Sequence, residues 1–291
     1  MPSTPATPDL TAEVVPATTG PANAAGDETL PSATIEAFAD DPDFVTALAR
    51  GLAVLMTLSD KRRHMSIAQV SHRTGIPRAA ARRSLHTLAK LGFAAADDAR
   101  RFYLRPRVLS LSHAYLSASP LVVVAQPILD RLGESLQAAC SLGILDDDEI
   151  VYLARSTSSR IMSPMLNVGR RLPAYCTSIG HALLAHVPQD ELDAYLRRVR
   201  FQPFTAHTPT SAQALLPYLD AVRESGYAFA SQLMEPHLCT LAVPVRDTGG
   251  HYVAGINLIL QGRPLTRTEM AERYYQPLLQ AAMDLGASLL P

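Results

Sequence analysis

The sequence predicts an α+β protein with a small helical N-terminal domain and a larger C-terminal domain of antiparallel strands and helices. Three observations support this prediction. Basic residues are concentrated in one block, helical segments joined by a short turn lie inside that block, and apolar runs bounded by turns follow it. A chain of 291 residues is long enough to form two hydrophobic cores.

Charge is segregated along the chain, although the net charge is only −1. Residues 1–43 contain eight acidic residues and no lysine or arginine, and they are rich in Ala, Pro, Thr and Ser. This composition cannot bury enough apolar surface to offset the entropy of ordering, so a disordered acidic tail is predicted for residues 1–43. Residues 44–113 contain 13 basic residues against three acidic ones, a net charge of +10. Such a block is expected of a nucleic-acid-binding domain.

The basic block has the helix spacing of a helix-turn-helix. Apolar residues recur at helical intervals from Phe44 to Leu58, so a first helix of about 15 residues is predicted. Ser66 is suited to cap a second helix, Gly75 fits the turn that follows it, and Pro77 is expected at the favoured first position of a third helix.

A short hairpin is predicted after the third helix. Residues 93–96 and 101–104 flank a polar turn, which indicates two short strands that form a wing. With the three helices, this hairpin makes residues 44–105 a winged helix-turn-helix domain. A merely solvated basic helix face is the alternative, but it does not explain the turn and the hairpin that accompany the basic residues.

The third helix has an apolar side and a basic side. We expect Arg82, Arg83 and His86 to contact base edges, because an arginine suits the O6 and N7 atoms of guanine. The basic residues beside them and at the hairpin turn are expected to contact phosphates or a minor groove. The complete set predicted to contact DNA is Ser66, Arg78, Ala79, Arg82, Arg83, His86, Lys90, Arg100 and Arg101.

A linker helix over residues 106–120 is predicted to lead into the second domain, residues 121–291, because Ser119 and Pro120 interrupt the helical pattern. The predicted strands of that domain are 141–145, 150–154, 227–230, 238–245 and 252–260. The predicted helices are 121–136, 179–186, 190–198, 212–224 and 267–285. Because the strands come in hairpins and the helices are segregated around them, the domain is α+β rather than doubly wound.

Sequence motifs for catalysis are absent. We find no phosphate-binding loop, dinucleotide fingerprint, zinc-protease motif or nucleophile elbow. His181 and His186 are five residues apart and point to different helix faces, and the three cysteines are scattered, so no metal site or cofactor is expected. No secretion signal or long apolar segment is present, so a cytoplasmic protein that does not enter a membrane is predicted.

Three features of the second domain suggest a pocket for a small anion. Thr177 and Ser178 precede a helix whose free N–H groups could bind a carboxylate, although they could equally be plain helix caps. Asn257 interrupts an apolar strand and could face a ligand or water. Arginines near the second strand could clamp a carboxylate or could be surface charges, namely Arg155, Arg160, Arg170 and Arg171.

Short segments of both predicted domains resemble those of a known protein family. Residues 48–55 (LARGLAVL) and 66–83 (SIAQVSHRTGIPRAAARR) closely resemble the IclR family of bacterial transcription regulators. Residues 169–174, 178–185 and 241–247 are similar to the effector-domain signatures of that family. Within the family the chain looks most like the PcaR/PobR/PcaU branch. Members of that branch typically control catabolism of protocatechuate, 4-hydroxybenzoate and β-ketoadipate-pathway intermediates, often as activators.

The resemblance implies a winged helix-turn-helix, a linker helix and a GAF-like effector-binding and oligomerisation domain with a curved antiparallel sheet. It also implies a homodimer or a dimer of dimers. The chain departs from the common pattern at His181, where many members have lysine, and at His237, near which a glycine is often found. Combining the family's pocket positions with the features above, the predicted ligand-binding residues are Arg160, Leu172, Ala174, Thr177, Ser178, Ile179, Gly180, Thr240 and Asn257.

These features together predict a ligand-responsive, sequence-specific DNA-binding regulator of aromatic acid catabolism that is not an enzyme. Its expected partners are a double-stranded DNA operator, a small aromatic or dicarboxylic acid effector, further copies of the chain and RNA polymerase. One alternative is a regulator of the same family that senses a keto acid. A further alternative is an enzyme acting on a small acid, which the missing catalytic motifs disfavour.

Overall fold

The fold is described from a computed structural model, which describes residues 31–59, 64–157, 167–262 and 264–289. No single helix in these ranges is long and apolar enough to cross a membrane. Residues 106–118 and 120–136 meet the length and composition criteria only as a pair, and this pair is bent by 82°.

The N-terminal domain is a winged helix-turn-helix, as predicted. Its elements are α1 (Pro31–Glu36), α2 (Thr46–Thr57), α3 (Ile67–Thr74), α4 (Arg78–Lys90), β1 (Ala94–Ala96) and β2 (Phe102–Leu104). The two strands pair antiparallel. Side chains from the helices and the first strand form one core, including Val54, Val70, Leu85 and Ala94.

The turn between α3 and α4 follows from its residues. Ser66 and Gln69 form a reciprocal capping box at the start of α3. Gly75 ends the helix with a φ of 69°, a left-handed conformation that glycine adopts without steric penalty. Pro77 precedes α4 directly, so the chain enters the third predicted helix where the sequence indicated.

The prediction of disorder is wrong for residues 31–43, because α1 lies there. Ile35 is only 8% exposed and belongs to the N-terminal core. Phe38 stacks on Phe44 with ring centroids 5.2 Å apart. These few apolar side chains bury enough surface to order a segment whose average composition is that of a tail. Residues 1–30 lie outside the described residues.

The first helix of the motif also differs from its prediction. It covers the 12 residues Thr46–Thr57 rather than about 15. Leu48 and Leu52 belong to the apolar stripe expected to face the core, but they are 61% and 51% exposed. The helix therefore buries only part of its apolar surface within a single chain.

A 3-10 turn at Pro106–Val108 and α5 (Leu109–Ala118) occupy the predicted linker segment, residues 106–120. The following domain has a six-stranded antiparallel sheet with strands β3 (Ala139–Asp146), β4 (Glu149–Arg155), β5 (Arg171–Pro173), β6 (Ala228–Ser231), β7 (Leu238–Arg246) and β8 (Tyr252–Gln261). The order of the strands in the sheet is β5-β4-β3-β8-β7-β6. Its helices are α6 (Pro120–Leu136), α7 (Ser178–Leu184), α8 (Gln189–Arg198), α9 (Ala212–Ser225) and α10 (Arg267–Ala287).

Helices cover both faces of this sheet. α6 and α10 pack on one face through a core that includes Leu129, Leu142, Ile256 and Leu285. α7 packs on the other face and is itself covered by α9. The α+β prediction is therefore confirmed, with β5 added as a short edge strand that the sequence did not indicate.

Candidate functional site

Helix α4 presents a basic surface opposite its packing face. Ala81, Leu85 and Leu88 are buried against the domain core. Their basic neighbours, together with Ala79, are exposed to solvent, and these basic residues are Arg78, Arg82, Arg83, His86 and Lys90. The structure thus presents all six α4 residues of the predicted DNA-contacting set on the accessible side of the helix.

The basic residues of α4 do not all point in one direction. Arg78, Arg82, His86 and Lys90 follow one another at i, i+4 intervals, so they lie along one side of the helix. Arg83 instead borders a groove between α2 and α4. It therefore lies toward the edge of this surface.

Ser66 is half-buried and has a structural role. Its hydroxyl accepts a hydrogen bond from the Gln69 backbone N–H at 3.3 Å, while its own N–H donates to the Gln69 side chain at 2.9 Å. We therefore assign Ser66 to helix capping, although it belongs to the set predicted to contact DNA.

The turn of the wing is held together by Asp97. Its carboxylate accepts hydrogen bonds from the Arg101 backbone N–H at 2.8 Å and from Arg101 Nε at 3.0 Å, and it lies 2.9 Å from His64 Nδ1. The backbone hydrogen bond from Arg101, supported by His64 and the Arg101 side chain, lowers the pKa of Asp97 to about 2. Arg101 is thus partly engaged within the wing, and Arg100 beside it is exposed with a φ of 55°.

A narrow cavity lies between the start of α7 and the sheet of the C-terminal domain. It has a volume of about 30 Å³. Five of the predicted ligand-binding residues line it, namely Leu172, Thr177, Ser178, Thr240 and Asn257. The remaining lining residues are Tyr152, Cys176, Ala230, Leu233, Met234, Glu235, Leu238 and Ile259. The walls are mainly apolar, with a few polar groups from different elements.

Buried polar atoms without hydrogen-bond partners among the described residues lie in the cavity lining and next to it. Asn257 is 1% exposed, and its Nδ2 lies 3.5 Å from the Ser178 hydroxyl, but its Oδ1 has no hydrogen-bond partner among the described residues. Ser141 pairs directly with Asn257 across the two neighbouring strands, and its buried hydroxyl is unpartnered within the same ranges. Because an unsatisfied buried polar atom costs free energy, a bound molecule with complementary groups would stabilise this arrangement.

The titratable groups that flank Asn257 are kept neutral. Burial raises the pKa of Tyr152 far above its usual value and does the same for the Cys176 thiol. A neutral phenol can donate a hydrogen bond from inside the cavity. The interior of the cavity therefore offers neutral hydrogen-bonding groups, while the carboxylate of Glu235 adds a negative charge to its lining.

Three predicted ligand-binding residues do not line the cavity. A Cβ atom on Gly180 would overlap the carbonyl of Ala174, so both residues form a tight contact between α7 and the preceding turn. Ile179 points its side chain at the sheet, where Gly143 and Gly255 leave room for it. Ala174, Ile179 and Gly180 thus lie outside the cavity lining, because the packing of α7 against the sheet decides which side faces the cavity, and their role in ligand binding stays a prediction. Arg160 lies outside the described residues.

The start of α7 is a capped helix end. The Thr177 hydroxyl accepts a hydrogen bond from the Gly180 N–H at 3.1 Å, which supports the capping alternative. His181 is fully buried with its Nε2 2.7 Å from the Tyr175 carbonyl oxygen, and burial lowers its pKa to about 4. The neutral imidazole therefore donates to this carbonyl and holds the turn before α7 in place.

The charged loops beside the sheet form surface ion pairs. Arg171 of β5 contacts Asp146 and Glu149, each at 2.6 Å, so two of the four acidic residues at the turn between β3 and β4 pair with a neighbouring strand. Among the cavity residues that were missed, Ile259 follows Asn257 by two positions and could have been found by strand alternation. The loop residues Leu233 and Met234 carry no periodic signal in the sequence.

Comparison with known proteins identifies the protein family to which both domains are similar. The model of the IclR helix-turn-helix domain matches residues 47–98, and the model described as bacterial transcriptional regulator IclR C-terminal matches residues 113–287. The chain belongs to the IclR family. It is accordingly a DNA-binding transcriptional regulator, and membership of this family confirms the expectation that it is not an enzyme.

Its relatives include regulators of aromatic acid catabolism. The chain is 45% identical over 256 residues to the Pca regulon regulatory protein of Pseudomonas putida, covering 88% of both chains. It is 36% identical over 224 residues to the p-hydroxybenzoate hydroxylase transcriptional activator of Acinetobacter baylyi, covering 75% of this chain and 82% of the relative. These relatives confirm the predicted resemblance to the PcaR/PobR/PcaU branch.

The fold is also similar to that of an IclR homologue from Microbacterium hydrocarbonoxydans, solved in complex with 4-hydroxybenzoate. The TM-score is 0.69 at 24% sequence identity, and the match covers 84% of this chain and 98% of the other. This likeness extends over both domains and supports the assignment of the architecture.

Proposed function

We propose that this regulator binds operator DNA through α4 and the wing, and that it senses a small aromatic acid in the cavity beside α7. The observation that carries the proposal is the buried, unpartnered Oδ1 of Asn257 in a cavity whose walls are mainly apolar. The hydroxyl of 4-hydroxybenzoate would donate to this oxygen, while the ring would contact the apolar walls.

The relatives support the same class of ligand. The Acinetobacter relative is a transcriptional activator of p-hydroxybenzoate hydroxylase, and the Microbacterium homologue is bound to 4-hydroxybenzoate. Protocatechuate is a hydroxybenzoate of the same chemical class, whereas β-ketoadipate is an aliphatic dicarboxylate, and both are tested alongside 4-hydroxybenzoate.

Entry of a ring requires part of the wall to move, because the volume of the cavity is far below that of a ligand pocket. The loop 232–237 is the candidate, since Leu233, Met234 and Glu235 line the cavity from one side. Thr205 and Thr208 donate hydrogen bonds at 2.6 Å to the carbonyls of Gln232 and Leu233, which hold this loop closed. Ligand binding would then shift the population toward an arrangement with the loop displaced.

The DNA-binding surface follows from the exposed side of α4. Arg82, Arg83 and His86 are proposed to contact bases, with Ala79 near them. Arg78, Lys90, Arg100 and Arg101 are proposed to contact phosphates.

Fluorescence anisotropy on DNA from upstream of the protein's own gene tests the proposal at a stated salt concentration. We expect tight binding that resists competitor DNA and that changes on addition of 4-hydroxybenzoate, protocatechuate or β-ketoadipate. Specific binding that none of these acids alters would contradict the proposed ligand class but not the DNA-binding function.

A second candidate is a sensor of a smaller keto acid, which the narrow volume favours. The apolar walls favour the aromatic ring instead. Pyruvate and glyoxylate are therefore included in the same titration, and a response to them alone would decide for the second candidate.

Asn257→Ala provides the matching test of the cavity. Calorimetric titration of the full chain with 4-hydroxybenzoate should show about tenfold or greater loss of affinity, because the variant removes a buried hydrogen bond. Gln261→Ala removes an exposed amide from the same strand and should leave affinity unchanged. Equal affinities of the two variants would remove Asn257 from the site.

A further inference from the structure

A second, larger concave site lies at the other end of the C-terminal domain. This groove has a volume of about 470 Å³, within the usual range of ligand pockets and well above that of the cavity. Its apolar part is formed by Val222 of α9 and by Leu279 and Met283 of α10. Met283 is 60% exposed, so a large apolar side chain lies open to solvent in the groove.

Basic and aromatic groups form the rest of the groove. The rings of His186 and Tyr252 stack almost parallel, with centroids 4.0 Å apart and planes at 8°. The guanidinium of Arg246 lies over the Tyr252 ring at 5.0 Å, and its Nε donates to the Gly250 carbonyl at 3.1 Å. These contacts hold the planar guanidinium in a defined orientation before any ligand arrives.

The charge of this groove is positive. In the described part of the chain, no carboxylate lies within ion-pair distance of Arg246. Arg223, which also lines the groove, pairs with the exposed Asp220 at 2.8 Å and donates from Nε to the Ala185 carbonyl at 2.9 Å. Burial, together with the charges of Arg223 and Arg246, lowers the pKa of His186, so both guanidiniums act on the same small volume.

The groove and the cavity share two strands and lie at opposite ends of α7. Ser178 at the start of α7 lines the cavity, and His186 just beyond its end lines the groove. In β7, Thr240 lines the cavity and Pro244 lines the groove. These two residues are about 13 Å apart along an extended strand. In β8, Asn257 lines the cavity and Tyr252 lines the groove.

We propose that the groove is a second binding site for a small organic anion, a carboxylate attached to an apolar or aromatic body. Arg246, with Arg223, binds the carboxylate through charge-assisted hydrogen bonds, and the apolar body lies on Leu279 and Met283. A ligand there contacts His186, just beyond the end of α7 that is opposite to the cavity. Acid binding in the groove and acid binding in the cavity would thus both act on α7, from its opposite ends.

Methionine methyl resonances distinguish the two sites in one experiment, because Met283 lies in the groove and Met234 lines the cavity. The full chain is labelled with [methyl-13C]methionine and titrated with 4-hydroxybenzoate, and both signals are assigned with Met→Leu variants. We expect the Met283 resonance to shift and saturate. Arg246→Gln should weaken that titration at least about tenfold, since it removes a charge-assisted hydrogen bond.

Arg273→Gln is the matched control, because Arg273 is exposed on the same helix as Met283. This substitution removes one positive charge, as Arg246→Gln does. It should leave the Met283 titration unchanged, and the uncharged 4-hydroxybenzyl alcohol should not shift Met283. A Met283 resonance that stays still while Met234 shifts would overturn the groove proposal and leave the proposed function intact. A Met283 shift that Arg246→Gln does not weaken would also overturn it. A shift of Met283 alone would support the groove and count against the proposed effector cavity.

Discussion

At the scale of the residue, the exposed arginines of α4 allow sequence-specific and general DNA binding to be separated. Arg82→Ala should reduce the preference for operator over unrelated DNA by about 1–3 kcal/mol, because a bidentate contact to a base is lost. Arg101→Ala should weaken binding to all sequences alike. The Arg101 side chain is held by Asp97 and is proposed to contact a phosphate, which is the same in every sequence. Anisotropy titrations on both DNAs check this, and parallel losses for the two variants would refute the assignment of Arg82.

His181 should make stability depend on pH. The pKa of His181 is about 4 in the folded chain against an ordinary value of 6.5. Between these pH values the unfolded chain therefore binds a proton at this histidine and the folded chain does not. The contribution is complete above pH 6.5 and is lost as pH falls toward 4, by at most about 1.4 kcal/mol per pH unit. Urea unfolding at several pH values measures it.

His181→Gln tests this origin of the pH dependence. The glutamine amide can donate to the Tyr175 carbonyl but does not titrate, so the loss of stability between pH 6.5 and 4 should be smaller than in the original chain. His207→Gln changes an exposed histidine in the loop before α9 and should leave the pH profile unchanged. Identical profiles for all three proteins would exclude His181 as the cause.

At the scale of the element, α7 is positioned by steric fit against the turn before it. Gly180→Ala would place a methyl group against the Ala174 carbonyl and should lower the free energy of unfolding by about 1–3 kcal/mol. Gly51→Ala is the control, because a Cβ at Gly51 meets nothing within 4 Å and α2 should gain about 0.5–1 kcal/mol. Urea unfolding of both variants gives the comparison. Equal stabilities would mean that α7 is free to shift.

At the scale of the whole molecule, apolar residues remain uncovered in a single chain. α5 has no buried residue, and Leu111 and Tyr115 on it are 58% and 55% exposed. Leu48 and Leu52 of α2 are similarly exposed. We expect these surfaces to be covered in a homodimer, which would also set the spacing of two DNA half-sites.

Sedimentation equilibrium tests the dimer. The chain should have a mass of at least twice 31.4 kDa, and the double variant Leu111→Glu, Tyr115→Glu should dissociate it and weaken operator binding. Ser112→Glu places one charge on the same helix at an already polar, exposed position and should have little effect. An original chain that sediments as a monomer would contradict the expectation.

The sequence by itself determined the helix-turn-helix, the wing and most strands of the second domain. Helix caps, the Gly75 turn and the alternation of apolar residues act over a few positions, so they can be recognised without knowing distant contacts. The basic side of α4 was determined in the same way, because helical spacing alone separates Arg82 from Leu85. Its family signatures likewise lie in short continuous segments.

Only the tertiary structure decided which residues face the cavity. Tyr152, Met234 and Asn257 come from a strand, a loop and another strand that are distant in sequence, and the register of the sheet brings them together. Packing of α7 on this sheet turned Ile179 and Gly180 away from the cavity. In the N-terminal domain, packing against the helices buried Ile35 in a segment of tail-like composition. The physical reason is that local spacing fixes which face of an element is apolar, whereas long-range packing fixes what that face meets.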